Sequence, residues 1–476
     1  MLAQYLLTIF ISLNLISESF CLSVSIPKGG PPIIRGLQGN DDEEIPVDLI
    51  SDPSSLQARY DNLEKLLSPG NRRYNMFWTS FEDAQPSSPA PISCDSSHIL
   101  TPANESDRIA RGYHNYHCYR IAQLETFDVI FEEDARIGSV STAIVYGSPD
   151  FAIDPLCTGF PWPPNPNFRL GCIPWKNFDD WEDYINLLIE RWRAPLGSGK
   201  ARLSGLCIWN EIQSMGWSDP SPVLPNRWNG VPWTPQQLST YTGAIAELFI
   251  RAGRASIRQS LDGEGVMLWL STDHFVTAPP LNNGDVGHIG LYTFLDSFWP
   301  QVSNASFSWG VCVHPYDNGD PRSDLSNQGI YTFVNLKSLV AEYQCTKLNQ
   351  VLGVPLAECW QWPQTQMWAS EQGWPISPGV NKSIQARNIC LAHGLSMAQG
   401  LWSVTHNTFQ TTESSSQGGS GDFSLIDEPP KCLATLSNCT GLETFDAYVA
   451  TAPGVFGVSS NHYCCSKWAI GCEGGE

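Results

Sequence analysis

Charge is scarce in this chain of 476 residues: only 16% of positions are charged. Basic residues are the scarcer half, 27 against 48 acidic, for a formal net charge of −21. With 42% hydrophobic residues beside so little charge, general disorder is not expected. The shortage of lysine and arginine repels phosphate backbones and anionic lipid, which argues against nucleic acid as a partner. After the first 21 residues no segment offers about 20 uninterrupted apolar residues, so no membrane span is expected once that leader is removed. Several chemical signatures are missing too. There is no Gly-x-Ser-x-Gly elbow for a serine nucleophile, no Walker loop for a nucleotide phosphate and no paired Cys-x-x-Cys spacing for zinc.

Cysteine is plentiful. The leader, residues 1–21, has a short apolar core at 5–11 and small or polar residues near 17–19, which reads as a secretory signal despite lacking a basic start. Removing it with Cys21 leaves 15 − 1 = 14 cysteines, an even number suited to disulfides. Four sequons, at Asn104, Asn304, Asn381 and Asn438, fit the same route. A secreted, disulfide-bonded glycoprotein is expected, acting as a monomer.

Residues 22–70, rich in proline, glycine and acids, read as an N-terminal arm. From 71 to 410 the pattern alternates. Strands are expected over 73–81, 139–146, 203–209, 266–271, 307–313, 366–370 and 400–404, with helices over 121–135, 177–192, 234–260, 291–299, 332–346 and 382–398. Alternation means a parallel sheet, and without a glycine-rich phosphate loop after the first strand a closed barrel is preferred to a doubly wound sheet. The fold class is therefore α/β, a (β/α)8 TIM barrel with long loops, its eighth strand expected near 116–120. Residues 411–476 carry Cys432, Cys439, Cys464, Cys465 and Cys472 and read as a disulfide-rich C-terminal flap.

Two glutamates close buried strands. Asn210-Glu211 follows the apolar run 206–209, and Glu371 ends the run 367–370, so both fall at the strand ends where a parallel barrel keeps its chemistry. Two carboxyl groups facing each other there can cleave a glycosidic bond, one as proton donor and one as nucleophile. Asn210 suits a sugar 2-hydroxyl, and Gly373 allows a turn that offers the Trp374 indole to a sugar ring. His406 follows the last strand and faces the same rim. His114-x-x-His117-Cys118 resembles a zinc pattern, but no second ligand pair accompanies it, so neither metal nor cofactor is expected.

Trp209-Asn210-Glu211, His314-Pro315-Tyr316 and Ser370-Glu371-Gln372-Gly373 resemble strands four, six and seven of clan A glycoside hydrolases. The closest likeness is to an uncharacterised bacterial-type barrel family of that superfamily, over roughly 73–407. The resemblance implies a carbohydrate substrate, Glu211 as acid/base, Glu371 as nucleophile, and Tyr316 as the hydroxyl that steadies it. It also implies that Asp273, His274 and His314 line the pocket and that Trp402 forms an aromatic floor. Each residue has a plainer reading: an Asn-Glu pair can be structural, Asp273 can be a helix cap, and most of 18 tryptophans fill core. The rival to a retaining hydrolase is a catalytically silent carbohydrate-binding or wall-associated barrel. Carboxyl separation discriminates, with about 5.5 Å favouring the enzyme and well beyond about 10 Å the binder.

Overall fold

The computed structural model describes residues 35–39, 70–157 except 89, 171–214 except 176, 196 and 197, 218–220, 222–223, 233–260, 266–273, 288–302, 309–315, 367–374, 381–399, 401–406, 443–451 and 463–468. The strands, in chain order, are β1 (Arg35–Gly39), β2 (Asn71–Phe77), β3 (His98–Thr101), β4 (His117–Arg120), β5 (Val140–Tyr146), β6 (Leu203–Ile208), β7 (Met267–Thr272), β8 (Trp309–Val313), β9 (Met367–Gln372) and β10 (Ser403–His406). The helices are α1 (Trp78–Phe81), α2 (Glu105–Arg111), α3 (Ile121–Arg136), α4 (Phe178–Arg191), α5 (Pro235–Gln259), α6 (Leu291–Val302), α7 (Lys382–Gln399), α8 (Glu443–Ala450) and α9 (Tyr463–Trp468).

Eight strands close a parallel barrel in the order β1-β10-β9-β8-β7-β6-β5-β2. The eighth strand is not where the sequence put it. The 116–120 segment instead forms β4, antiparallel to β3 and outside the barrel. Its place is taken by β1, in the stretch read as an arm, which pairs with β10 and β2. Arg-Gly-Leu-Gln-Gly has no β-branched residue and two glycines, so propensity gives no signal there; pairing on both edges supplies what propensity does not. The expected helix at 332–346 lies outside the described residues.

The helices expected over 121–135, 177–192, 234–260, 291–299 and 382–398 form as α3 to α7. Thr234 caps α5 by accepting from the Gln237 amide, while the Gln237 side chain reaches back to the Thr234 backbone. The faces of β2 divide cleanly. Tyr74 packs on Phe127 and Phe131 of α3, whereas Asn71, Arg73, Asn75 and Phe77 occupy the alternate, barrel-facing positions. The interior is filled near its base by Trp269, Trp368 and Trp402, with ring centroids 4.9–5.6 Å apart. Gly205 leaves that space, because a Cβ there would lie 2.0 Å from Trp269 Cζ3. Disulfides join Cys94 to Cys118, Cys157 to Cys172, Cys207 to Cys312 and Cys390 to Cys464. The last ties α9 to α7. Among the described residues no helix is long and apolar enough to cross a membrane.

Candidate active site

The mouth of the barrel is built from three strand ends. After β6 the chain turns sharply, with Trp209 at φ 63° and Glu211 at φ 40°, both in the left-handed region that non-glycine residues avoid. Such residues cost on the order of 1–3 kcal/mol each and persist only where their surroundings fix them. Here the Trp209 amide donates to Val145 O (2.9 Å), the Glu211 amide to Ser271 Oγ (3.0 Å) and the Tyr241 hydroxyl to Ile212 O (2.6 Å). The Trp209 indole is buried against Trp181. The turn aims the Glu211 carboxylate into the mouth.

Glu371 arrives by a different irregularity. Between β9 and β10 the register jumps from Ala369↔Val404 to Gln372↔His406, so Ser370 and Glu371 together oppose Thr405. This is a bulge, which re-aims a side chain that strict alternation would send the other way. Arg73 meets it, donating from Nη2 to Glu371 Oε1 at 2.5 Å and to Asn75 Oδ1 at 3.0 Å. From β8 comes His314, fully buried, with Nδ1 2.8 Å from Glu211 Oε1 and 3.6 Å from Glu371 Oε2. Facing oxygens of the two glutamates and this nitrogen all lie within 4.8 Å of one another. The carboxylates keep 17% and 16% exposure, open to a ligand while sheltered from bulk water.

Asn210 sits between the two left-handed residues, 4% exposed, and its Oδ1 has no hydrogen-bond partner among the described residues. A buried amide oxygen left unpaired costs about 1–3 kcal/mol, which a ligand hydroxyl recovers. Asp273, just past β7, is 1% exposed and bonded to His288 Nδ1 at 2.8 Å. The sequence thus placed Asn210, Glu211, Asp273, His314 and Glu371 where the structure brings strand ends together. His274 and Tyr316 lie outside the described residues, as does the side chain of His406, the last residue of β10.

Two expectations are corrected. Trp374 is 1% exposed within the main core and presents no open face to a sugar. Trp402 precedes β10, with its amide on Met367 O at the first residue of β9, so it lies at the opposite end of the barrel from the carboxylates. It packs on Trp269 and Trp368 as core. The aromatic ring with partial exposure near the mouth is Phe77 at the end of β2, packed edge to face at 4.8 Å on the buried Tyr146 at the end of β5. These two, with Arg73 and Asn75, were missed. The available signal was Arg73 and Asn75 at alternate positions of the strand expected over 73–81, since a buried arginine needs a carboxylate.

A second group of potential metal donors is His117, Asp180 and Asp183. Its atoms are already satisfied: His117 Nδ1 meets Glu82 Oε1 at 2.8 Å and Nε2 meets Asp183 Oδ2 at 2.9 Å, all fully buried. Burial alone lowers the His117 pKa, but the charge of Glu82 and the bonds from Asp183 and Glu82 outweigh it and carry the ring up to about 10. For Glu82 burial wins and raises its pKa. Cys118, the third member of the zinc-like pattern, is spent on Cys94.

No family model matches the chain, and no curated protein matches it in sequence. Among solved structures it is similar to a glucosidase from Croceicoccus marinus, at 11% identity and TM-score 0.47, over 90% of this chain and 69% of that one. It is also similar to the exo-β-1,4-mannosidase Op5Man5 from Opitutaceae bacterium strain TAV5, at 12% and 0.47, over 88% of this chain and 58% of that one. A monomeric β-xylosidase from Caulobacter crescentus CB15 matches at 12% and 0.49, over 89% and 69%. Likeness at this level decides neither activity nor substrate, and the chain spans little more than half of the mannosidase.

Proposed function

We propose that this protein is a secreted, monomeric retaining glycoside hydrolase that cleaves a poly- or oligosaccharide by double displacement. The observation that carries the reading is that one oxygen of Glu211 and one of Glu371 lie within 4.8 Å of each other, an approach of nearest oxygens that sets two carboxylates on either side of one bond, with retention or inversion read from the product anomer. Retaining enzymes keep their carboxyl groups about 5–5.5 Å apart, inverting ones roughly 6.5–9.5 Å, because the latter must admit a water between acid and base. A silent binding barrel has no need of either spacing.

In this mechanism Glu371 attacks the anomeric carbon while Glu211 protonates the leaving oxygen, and Glu211 then takes a proton from the water that releases the sugar. Arg73 keeps one Glu371 oxygen in line, leaving the other for attack. His314 holds Glu211 in reach of the leaving group. Asn210 offers its amide oxygen to a sugar hydroxyl, and Phe77, backed by Tyr146, supplies a part-exposed apolar edge beside the sugar. No cofactor enters. Secretion is supported by the leader, the disulfides and the exposure of Asn104 and Asn381, the two sequon asparagines within the described residues.

The test is digestion of a glycan and polysaccharide panel by the native protein, Glu371→Gln and Glu211→Gln, with the product anomer followed by NMR. Cleavage with retained configuration, lost in Glu371→Gln, is expected. Undiminished cleavage in both variants, or an inverted product, overturns the reading.

A further inference from the structure

We infer that Ser271 is a positioning residue for the acid/base, fixing through its hydroxyl the left-handed turn that aims Glu211. The inference rests on the reading of Glu211 above. Ser271 is the fifth residue of β7, fully buried, on the barrel-facing side shared with Trp269. Its Oγ accepts the Glu211 amide at 3.0 Å, and its carbonyl lies 3.4 Å from the Ile212 amide.

The argument is one of conformational competition. Trp209 and Glu211 both stand at positive φ, so the turn 209–211 stores strain that relaxes if its anchors are lost. Trp209 is anchored by the Val145 carbonyl and by its buried indole, and Ile212 by the Tyr241 hydroxyl. Those partners flank the acid. On the Glu211 amide itself the acceptor is the Ser271 hydroxyl, among the described residues the one side-chain atom of the barrel interior that touches the backbone of the acid, whose carbonyl accepts the Ser214 amide at 2.8 Å. Without that acceptor, the amide of a mostly buried residue is orphaned at the strained position, and the φ of Glu211 is free to return toward negative values. Rotation there swings the carboxylate away from His314 Nδ1, now 2.8 Å distant. A displacement of about 1 Å in a reacting group can cost 10²-fold in rate.

A misaimed acid has a signature that lost stability lacks. Protonation of the leaving oxygen matters most when the leaving group is poor, and little for a stable phenolate. The experiment takes 2,4-dinitrophenyl β-D-glucoside, β-D-xyloside and β-D-mannoside, keeps the sugar that the wild type cleaves fastest, and compares it with the phenyl glycoside of the same sugar. For Ser271→Ala we expect kcat/KM on the phenyl glycoside to fall roughly 10- to 100-fold, with the dinitrophenyl value within threefold of wild type. Azide, a nucleophile that needs no general base, is expected to speed dinitrophenyl turnover in the variant and not in the wild type. Ser256→Ala, which removes another buried hydroxyl, one that donates to the Val266 carbonyl at 2.9 Å, is the control and shows no leaving-group dependence.

Hydrogen exchange supplies a measure free of substrate: the peptide containing Glu211 exchanges faster in Ser271→Ala and not in Ser256→Ala. Equal losses on both glycosides, or unchanged exchange at Glu211, overturn the inference. If the wild type cleaves none of these aryl glycosides, the hydrolase reading is decided by the glycan and polysaccharide panel, and the exchange result alone decides whether Ser271 fixes the turn, unchanged exchange overturning the inference.

Discussion

Replacing His117 by glutamine should cost this protein about 3–5 kcal/mol of stability near pH 6, and the cost should shrink as the solution becomes alkaline. The imidazole is fully buried between Glu82 and Asp183 and stacked on Tyr119 at 5.2 Å, with Asp180 the next carboxylate in the cluster. Its folded pKa is about 10 against 6.5 in the unfolded chain, so the ring is charged at neutral pH. Breaking a buried pair by removing one partner typically costs about 3–5 kcal/mol, because the remaining charges lose their compensation. The sign follows from linkage. A group whose folded pKa is raised contributes stability that is fully present below its unfolded pKa and is lost as pH rises through the folded one. The His117 contribution is thus complete below pH 6.5 and falls away as pH passes about 10. Urea denaturation of wild type and His117→Gln side by side, at pH 6, 8 and 10.5, isolates this group, since titrations common to both cancel. A gap near 3–5 kcal/mol at pH 6 that narrows by pH 10.5 is expected. A gap under about 1 kcal/mol at pH 6, or one that widens with pH, refutes the claim that His117 is a buried cation.

Two further outcomes follow from the barrel interior. Arg73→Met removes the charge-assisted bond to Glu371, worth about 1.5–3 kcal/mol, so kcat should fall roughly 10- to 150-fold with KM little changed; a kcat within threefold of wild type removes Arg73 from the site. Gly205→Ala places a methyl 2.0 Å from Trp269 Cζ3 and should destabilise by about 1–3 kcal/mol or more as overpacking; an unchanged thermal midpoint shows that Trp269 does not fill the interior there.

Much of the barrel was legible because its strands carry β-branched or aromatic residues between clear breaks. The expected strand over 139–146 is β5 at Val140–Tyr146, and the helix over 234–260 is α5 at Pro235–Gln259, announced by Thr234-Pro235. β1 was not legible, since Arg-Gly-Leu-Gln-Gly is a strand only because β10 and β2 flank it. Nor could aromatic content say which tryptophans face a ligand. Trp402 and Trp374 are as aromatic as any residue of a sugar platform, yet register puts one at the barrel's far end and burial encloses the other. Arg73 was overlooked for a related reason: its partner Glu371 is 298 positions away, and no local pattern reports a contact of that span.

The direction of the two carboxylates shows most sharply what residue types leave unsaid. Trp368 faces the barrel interior, so the alternation of an ideal strand sends Ser370 inward and Glu371 out toward the helices. Period two, applied faithfully, takes Glu371 away from the mouth. The bulge opposite Thr405 cancels that sign, letting Ser370 and Glu371 share one side. On the other wall, two left-handed residues do for Glu211 what the bulge does for Glu371. Each carboxylate is therefore delivered by a break in regular structure, held from outside its own strand by Arg73 on one side and by Ser271 and His314 on the other. Glutamate at a strand end makes catalysis possible; the irregular backbone, stabilised by distant partners, brings the two groups within reach of one bond.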